Sequence, residues 1–317
     1  MEKPPRQVAE VHRAGDRPRA VREPSAIQQT AMRHPMLPSG MITRRQLLRA
    51  GASALLAASL WPGRLRAADA DAPPLRFFVI NDLHYIDDAC GQFFMRLVKQ
   101  LKATDPPADL CILAGDLSDH GTQAELGPLK EIFDSLGLPV YVVPGNHDIQ
   151  KPNDDRTVYD KLHPGRLNYT FEHKGWQFVG LDSTEGTKSR ATIQPPTLKF
   201  LDQTLPRLDR RKPTVVFTHF PLGPDTPMRP PNADALLDRF KEHNLVATYG
   251  GHHHGFTERI VGKTVMVTNC CCSLKRNNHD KTAAKGYFLC QTDGPAIRRK
   301  FVEFAAAPAT RPAAVPA

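Results

Sequence analysis

Three consecutive histidines, His252–His254, stand in the stretch GGHHHG (Gly250–Gly255), directly after the apolar run LVATY. An affinity tag sits at a terminus, and histidine-rich tracts also arise from composition alone, so this stretch signals metal binding only if other donors accompany it. Four further stretches supply them. Asp82-Leu83-His84 follows RFFVIN, and Gly115-Asp116-Leu117-Ser118-Asp119 follows DLCILA. Pro144-Gly145-Asn146-His147-Asp148 follows PVYVV, and His219 follows PTVVFT. Each begins at the carboxyl end of an apolar, β-branched run, which is where sites assemble in open α/β sheets.

Carboxylate, imidazole and amide oxygen, with no cysteine at these endings, suit borderline to hard divalent ions such as Mn, Fe, Co or Zn rather than a structural thiolate zinc. Asp82, His84, Asp116, Asn146, His219, His252 and His254 offer eight donors if Asp116 lends one oxygen to each of two ions. Two ions about 3.5–4 Å apart suit displacement at phosphorus, because they bind phosphoryl oxygens and lower the pKa of a bridging water. The glycines beside Asp116, Asn146 and His252 are expected to allow sharp turns directly after the strands.

The elements that must position these residues alternate along the chain. Strand-like runs cover 76–81, 109–114, 139–143, 176–181, 213–218 and 245–249, and helical periodicity covers 93–102, 125–136, 198–208 and 235–243. Such alternation predicts an α/β layered domain. After His254 the runs FTERIVG, KTVMVTN, GYFLC and IRRKFVEF predict an antiparallel finish. No internal repeat is present, so one domain is expected over 73–304, followed by an Ala/Pro-rich tail over 305–317 read as disordered.

In a chain of 317 residues, 40% hydrophobic content leaves ample material for a core. The formal charge of +9 suggests nucleic acid, but residues 1–67 hold 12 of the 42 Lys+Arg and only 4 of the 33 Asp+Glu. The body keeps 30 against 29, a net charge of +1, and gives no compositional reason to bind nucleic acid. The first 67 residues read instead as a leader. Thr43-Arg44-Arg45-Gln46-Leu47-Leu48-Arg49 precedes an apolar stretch, Ala50 to Trp61, and then small-residue sites ending at Ala67 and Ala70. This resembles a bacterial twin-arginine signal, which implies export to the periplasm or beyond and the twin-arginine machinery as a partner. The apolar stretch falls short of the ~20 residues that span a bilayer, so no stable membrane span is expected. Cys111 lies in a strand-like run and reads as buried; Cys270-Cys271-Cys272 is unusual, and export would permit a disulfide there.

The set DLH, GDLSD, GNHD, THF and GHHH, in this order, resembles the calcineurin-like metallophosphoesterase superfamily. The resemblance implies a four-layer α/β/β/α sandwich. It further implies one ion held by Asp82, His84, Asp116 and His254, and a second by Asp116, Asn146, His219 and His252. His147 matches the family's catalytic histidine, and Asp119 the aspartate that orients it in some members. Purple acid phosphatases place a tyrosine three residues after the bridging aspartate, where this chain has Asp119. Protein phosphatases continue the second motif with an arginine, where this chain has His120. Nucleotidases carry a large C-terminal domain, for which no room is expected. The remaining match is to class III cyclic-nucleotide and glycerophosphodiester phosphodiesterases, so an exported, dinuclear phosphodiesterase acting through a metal-activated water is expected. A phosphomonoesterase of the same superfamily, or a catalytically silent metal-binding protein, is the alternative.

Other residues draw plainer readings. His253 is expected to face solvent, Asp182 to stabilise a turn, and Tyr85 to flank the substrate or pack beneath the site. Arg190 and Arg229 lie in loops, where an arginine clamps a phosphate or is merely solvated. Forty residues precede Met41, whereas an export signal starts close to its arginines, so translation is expected to begin at Met41. Mass spectrometry of the precursor is then expected to yield no peptide from residues 1–40, and one such peptide refutes the start.

Overall fold

The computed structural model describes residues 74–304, so the leader expected over 1–67 and the tail over 305–317 lie outside the described residues. Strands β1 (Arg76–Ile80), β2 (Leu110–Ala114) and β3 (Val140–Val143) run parallel, with helices α1 (Asp88–Lys102) and α2 (Gln123–Asp134) between them. After α3 (Thr157–Leu162) come β4 (Tyr169–His173), β5 (Trp176–Gly180), α4 (Pro195–Thr204), β6 (Thr214–Phe217), α5 (Ala233–Leu237) and β7 (Leu245–Gly250). Four strands finish the domain: β8 (Thr257–Val261), β9 (Thr264–Thr268), β10 (Gly286–Asp293) and β11 (Ala296–Glu303).

Two sheets result, in the orders β11-β10-β1-β2-β3 and β4-β5-β6-β7-β9-β8. The finish is antiparallel within the pairs β8–β9 and β10–β11, as expected, but β9 lies parallel to β7 while β10 crosses to the other sheet beside β1. Alternation along the strands sorts side chains into three cores. Phe77, Val79, Leu110 and Ile112 face Phe178, Val215, Phe217 and Tyr249 of the second sheet. Phe78, Ile80, Cys111 and Leu113 turn the other way, onto Phe93, Phe94 and Leu97 of α1 and Leu129 and Phe133 of α2. Val179 and Val216 leave the second sheet outward, onto Leu201 of α4 and Leu236 of α5. The layers are therefore α/β/β/α, the expected sandwich. Burial on both faces explains why the central strands read as unbroken apolar runs rather than alternating ones.

Phe77 locks the two sheets together. Its ring meets Phe178 and Tyr249 edge to face, at centroid distances of 5.7 and 6.0 Å. Helix α1 starts where Asp87 accepts the backbone N–H of Cys90 and ends with Lys99 and Lys102 in its last turn, matching the helix dipole at both ends. No helix among the described residues is long and apolar enough to cross a membrane. All six cysteines are buried and unpaired, so no disulfide joins the Cys270–Cys272 triplet. Strand β4 and helix α3 escaped the sequence reading. The β4–β5 hairpin turns through Lys174-Gly175, both with positive φ (46° and 79°), the geometry usually signalled by Asn-Gly rather than Lys-Gly.

The strand ends are conformationally strained where the polar motifs begin. Asp82, His84, Asp116, His252 and His254 all adopt positive φ, between 46° and 64°. Each such non-glycine residue costs roughly 1–3 kcal/mol and persists only where its surroundings over-determine it. Of the neighbouring glycines, only Gly115 supplies the expected left-handed turn (φ +80°). Gly145 has an extended backbone (φ −104°), and its requirement is space: a Cβ there would lie 2.1 Å from Asp116 Oδ1. Gly145→Ala is therefore expected to destabilise the fold by about 1–3 kcal/mol through overpacking. Thermal unfolding reads this as a loss of about 2–4 °C in Tm per kcal/mol, and an unchanged Tm refutes the contact.

Candidate metal centre

The carboxyl ends of β1, β2 and β3 in one sheet meet those of β6 and β7 in the other, and the predicted polar residues gather at that seam. Loop backbones stitch the junction: Asp82 N–H donates to Gly115 O at 3.1 Å, and Leu83 and His84 both donate to Asp116 O at 2.8 and 3.0 Å. Asp82, His84, Asp116, Asn146, His219, His252 and His254 are all at most 8% exposed.

Their donor atoms form two groups that share one carboxylate. Asp82, His84, Asp116 and His254 bring one ligand atom each within 4.8 Å of one another, and so do Asp116, His219 and His252. Asp116 divides its oxygens, with Oδ2 lying 3.5 Å from His84 Nε2 and Oδ1 lying 3.3 Å from His219 Nε2. Asn146 stands beside this carboxylate through Gly145, and its buried Oδ1 has no hydrogen-bond partner. A buried amide oxygen left without a donor costs free energy unless a cation meets it.

The four imidazoles are held alike. His84 Nδ1 donates to Asp119 Oδ1 (2.9 Å), His219 Nδ1 to Ala114 O (3.1 Å), His254 Nδ1 to Asn277 O (3.1 Å) and His252 Nε2 to Ser189 O (2.8 Å). Each outer nitrogen thus carries the proton, which turns the lone pair of the inner nitrogen toward the centre. Those inner nitrogens meet in pairs, His84 with His254 and His219 with His252, each pair 3.1 Å apart. Two lone pairs at that distance repel unless a proton or a metal cation lies between them. The donor set therefore fits divalent ions.

The electrostatics agree. Burial opposes charge on Asp82 and Asp116, yet the attraction of His254 for the first and His219 for the second holds both carboxyls well below their usual range. Burial likewise opposes charge on His219 and His254, but Asp116 and Asp82 raise them to about 9 and about 11. His252 is pushed down to about 4 by burial and by the charge on His219, and burial also lowers His84. The paired carboxylates thus demand positive charge in the volume between the imidazoles.

His147 stands at the edge of this cluster, its ring 4.8 Å from that of His84. Its Nδ1 donates to Asp119, though not to the carboxylate: the backbone carbonyl accepts at 2.8 Å, while the nearest carboxylate oxygen is 3.8 Å away. The expected aspartate therefore orients His147 through its main chain. Its side chain instead accepts from His84 and, at 2.8 Å, from Arg276 Nε. His147 and Asn146 open onto a cleft of about 360 Å³ whose walls include Lys151 and Arg276.

The loop between β9 and β10 was not foreseen as part of the site. Arg276 binds Asp119, Asn277 holds His254 through its carbonyl, and the His279 ring stacks on His254 at 4.8 Å. No motif marks these residues; the one signal was the dense polar run KRNNHD in a segment lacking strand or helix pattern. Asn278 anchors the loop by accepting from Cys271 N–H and donating to Ala284 O. His253 is half-buried, with its ring 6.3 Å from that of His279, rather than facing solvent as expected. Asp182 caps its own turn by accepting from Thr184 N–H and Oγ, and Tyr85 packs on Phe94 beneath the site. Arg229 is tied to Leu222 O and Asp234, while Arg190 is exposed beside it.

The chain is 26% identical over 199 residues to a 3′,5′-cyclic-nucleotide phosphodiesterase of Nostoc sp., covering 57% of this chain and 72% of that one. It is 25% identical over 178 residues to a glycerophosphodiester phosphodiesterase of Enterobacter lignolyticus, covering 51% of this chain and 61% of the relative. Among solved structures, a purple acid phosphatase from yellow lupin superposes with a TM-score of 0.55 at 13% identity, over 74% of this chain and 52% of that one, and so shares the fold. The family model for calcineurin-like phosphoesterases matches residues 75–256, which contain all of the clustered aspartates and histidines together with Asn146, and the chain belongs to that family.

Proposed function

We propose that this protein hydrolyses phosphodiesters with the help of two divalent ions. The observation that carries the reading is the pair of donor groups sharing the Asp116 carboxylate, with every imidazole fixed so that its free lone pair points inward. Asp82, His84, Asp116 and His254 would hold one ion, and Asp116, Asn146, His219 and His252 the other. Bound there, Mn, Fe, Zn or Co would supply Lewis-acid stabilisation of charge on the phosphoryl oxygens and a water acidic enough to act as nucleophile near neutral pH.

The protein's own groups do the rest. Neutral His147 keeps its proton on Nδ1, because Asp119 O accepts it, and leaves Nε2 as an acceptor. A second proton, taken up at Nε2, makes His147 a donor to the leaving oxygen or to a phosphoryl oxygen. Asp119 links the two functions, since its main chain holds His147 while its side chain holds His84. A diester is favoured over a monoester because the cleft beside His147 has room for a second ester group, and both of the relatives above are named phosphodiesterases. Cyclic nucleotides and glycerophosphodiesters are the substrate classes that those names suggest. Export by the twin-arginine route is also proposed, resting on Arg44-Arg45 and the apolar stretch after them.

Manganese-loaded protein is expected to cleave bis-p-nitrophenyl phosphate faster than p-nitrophenyl phosphate, and Asp116→Asn to abolish both activities. The reverse preference moves the assignment to a phosphomonoesterase. Inertness toward both with ions bound makes the protein a metal-binding protein without catalysis. His147→Ala is expected to lower kcat by about 10²–10⁴-fold, the usual contribution of a positioned acid or base. Added manganese should still raise the Tm of His147→Ala but not that of Asp116→Asn, because an ion bound only by the folded state stabilises it. Equal Tm responses in the two variants would place Asp116 outside the metal centre.

A further inference from the structure

The cleft beside His147 carries a charge that the metal centre does not explain. Arg276 donates to Asp119 Oδ1 from both Nε and Nη2, its Nη1 has no partner among the described residues, and its side chain remains 40% exposed. Lys151 is exposed, and its Nζ makes no ion pair or hydrogen bond with any described residue. The carboxylate in the cleft wall, Asp119, is already engaged by His84 and Arg276 and only 9% exposed, so it offers little to offset Lys151. No phenylalanine, tyrosine or tryptophan lines the cleft, which leaves no broad ring on which a nucleobase could stack. The His120 imidazole is held by Glu125, at 2.6 Å.

Resting on the reading of His147 as the group that meets the leaving oxygen, we propose that this cleft is the leaving-group subsite and is built for an anion. It takes an acyclic phosphodiester whose leaving alcohol carries a second negative group, a carboxylate or a phosphate, between Arg276 and Lys151. A guanidinium anchored by a carboxylate on one edge presents its other edge in a fixed direction, which suits an oxyanion, and Lys151 adds a point charge on a flexible stem. Arg276 lies beyond residues 75–256, so the family match does not assign it. Its position comes from the β9–β10 loop, which the metal centre itself anchors through Asn277 and His254.

The test uses two diesters that differ only in the leaving phenol, methyl phenyl phosphate and methyl 4-carboxyphenyl phosphate, with the manganese-loaded protein. The wild type is expected to favour the carboxylated ester in kcat/KM. Lys151→Gln and Arg276→Gln are each expected to lower the ratio of carboxylated to plain ester by about tenfold, mainly through KM, as loss of a hydrogen bond to a charged group does. Higher ionic strength should lower the wild-type ratio in the same direction. Comparing ratios cancels the intrinsic difference in leaving-group reactivity. Since Arg276→Gln also releases Asp119, Lys151→Gln, which breaks no contact among the described residues, keeps the test valid if the arginine variant is unstable. Hydrolysis of both esters with a ratio unchanged in Lys151→Gln and by salt overturns the subsite while leaving the diesterase reading intact. Cleavage of neither ester by a protein that cleaves p-nitrophenyl phosphate overturns the diesterase reading and the subsite with it.

Discussion

Two carboxylates buried among four imidazoles, with positive charge required between them, set the terms for the rest of this structure. An isolated carboxylate withdrawn from water costs several kcal/mol even after the protein relaxes around it. Asp82 and Asp116 are 0% and 1% exposed, and their charges are balanced only by cations in the same small volume. The carbonyls of Ala114, Ser189 and Asn277 and the carboxylate of Asp119 make that volume receptive, because each takes the proton of one imidazole and leaves its other nitrogen bare. Neither the carboxylates nor the imidazoles would be tolerable alone in this arrangement. Together they form a negative cavity with lone pairs facing inward, which is a description of a cation site.

That site imposes a conformational cost that the scaffold must absorb. Five of its residues hold positive φ, at roughly 1–3 kcal/mol each, while Gly145 and Gly251 let main chain approach the Asp116 and Asp82 carboxylates, and Gly115 lets it approach the His219 ring, more closely than any Cβ would permit. The cores on both faces of each sheet offset this cost. Phe77, wedged edge to face between Phe178 and Tyr249, belongs to the layer that holds the two sheets in one orientation. The strand ends converge because the sheets are packed face to face with their carboxyl ends on the same side, so sheet packing and site geometry are the same constraint seen at two scales.

Asp119 joins the centre to its surroundings. Its main chain sets the tautomer of His147, its carboxylate sets that of His84, and the same oxygen receives Arg276 from the β9–β10 loop. A residue bound on three sides in this way cannot move without disturbing His147, a proposed metal ligand and the cleft wall at once. The loop is held in turn by Asn278 and by the stacking of His279 on His254. The proposed leaving-group subsite is thus a direct extension of the metal centre rather than a separate pocket.

Much of this was legible in the sequence because its signals are local. A buried strand must be an apolar run, and a ligand at its end must follow within a few residues, so the layers and the clustered aspartates and histidines could be read from Asp82 to His254. Asn146 was legible for the same reason. The hairpin at Lys174-Gly175 was missed because its turn uses a residue pair that carries little turn signal. The β9–β10 loop was missed because Arg276, Asn277 and His279 act through contacts with residues 23 to 157 positions away, at Asp119 and His254. The sequence by itself determined which side chains could hold cations and which strands would present them. Only the tertiary structure decided which oxygen of Asp119 orients His147, which nitrogen of each imidazole faces inward and which cationic side chains border the cleft beside His147, because those choices depend on partners that folding alone brings together.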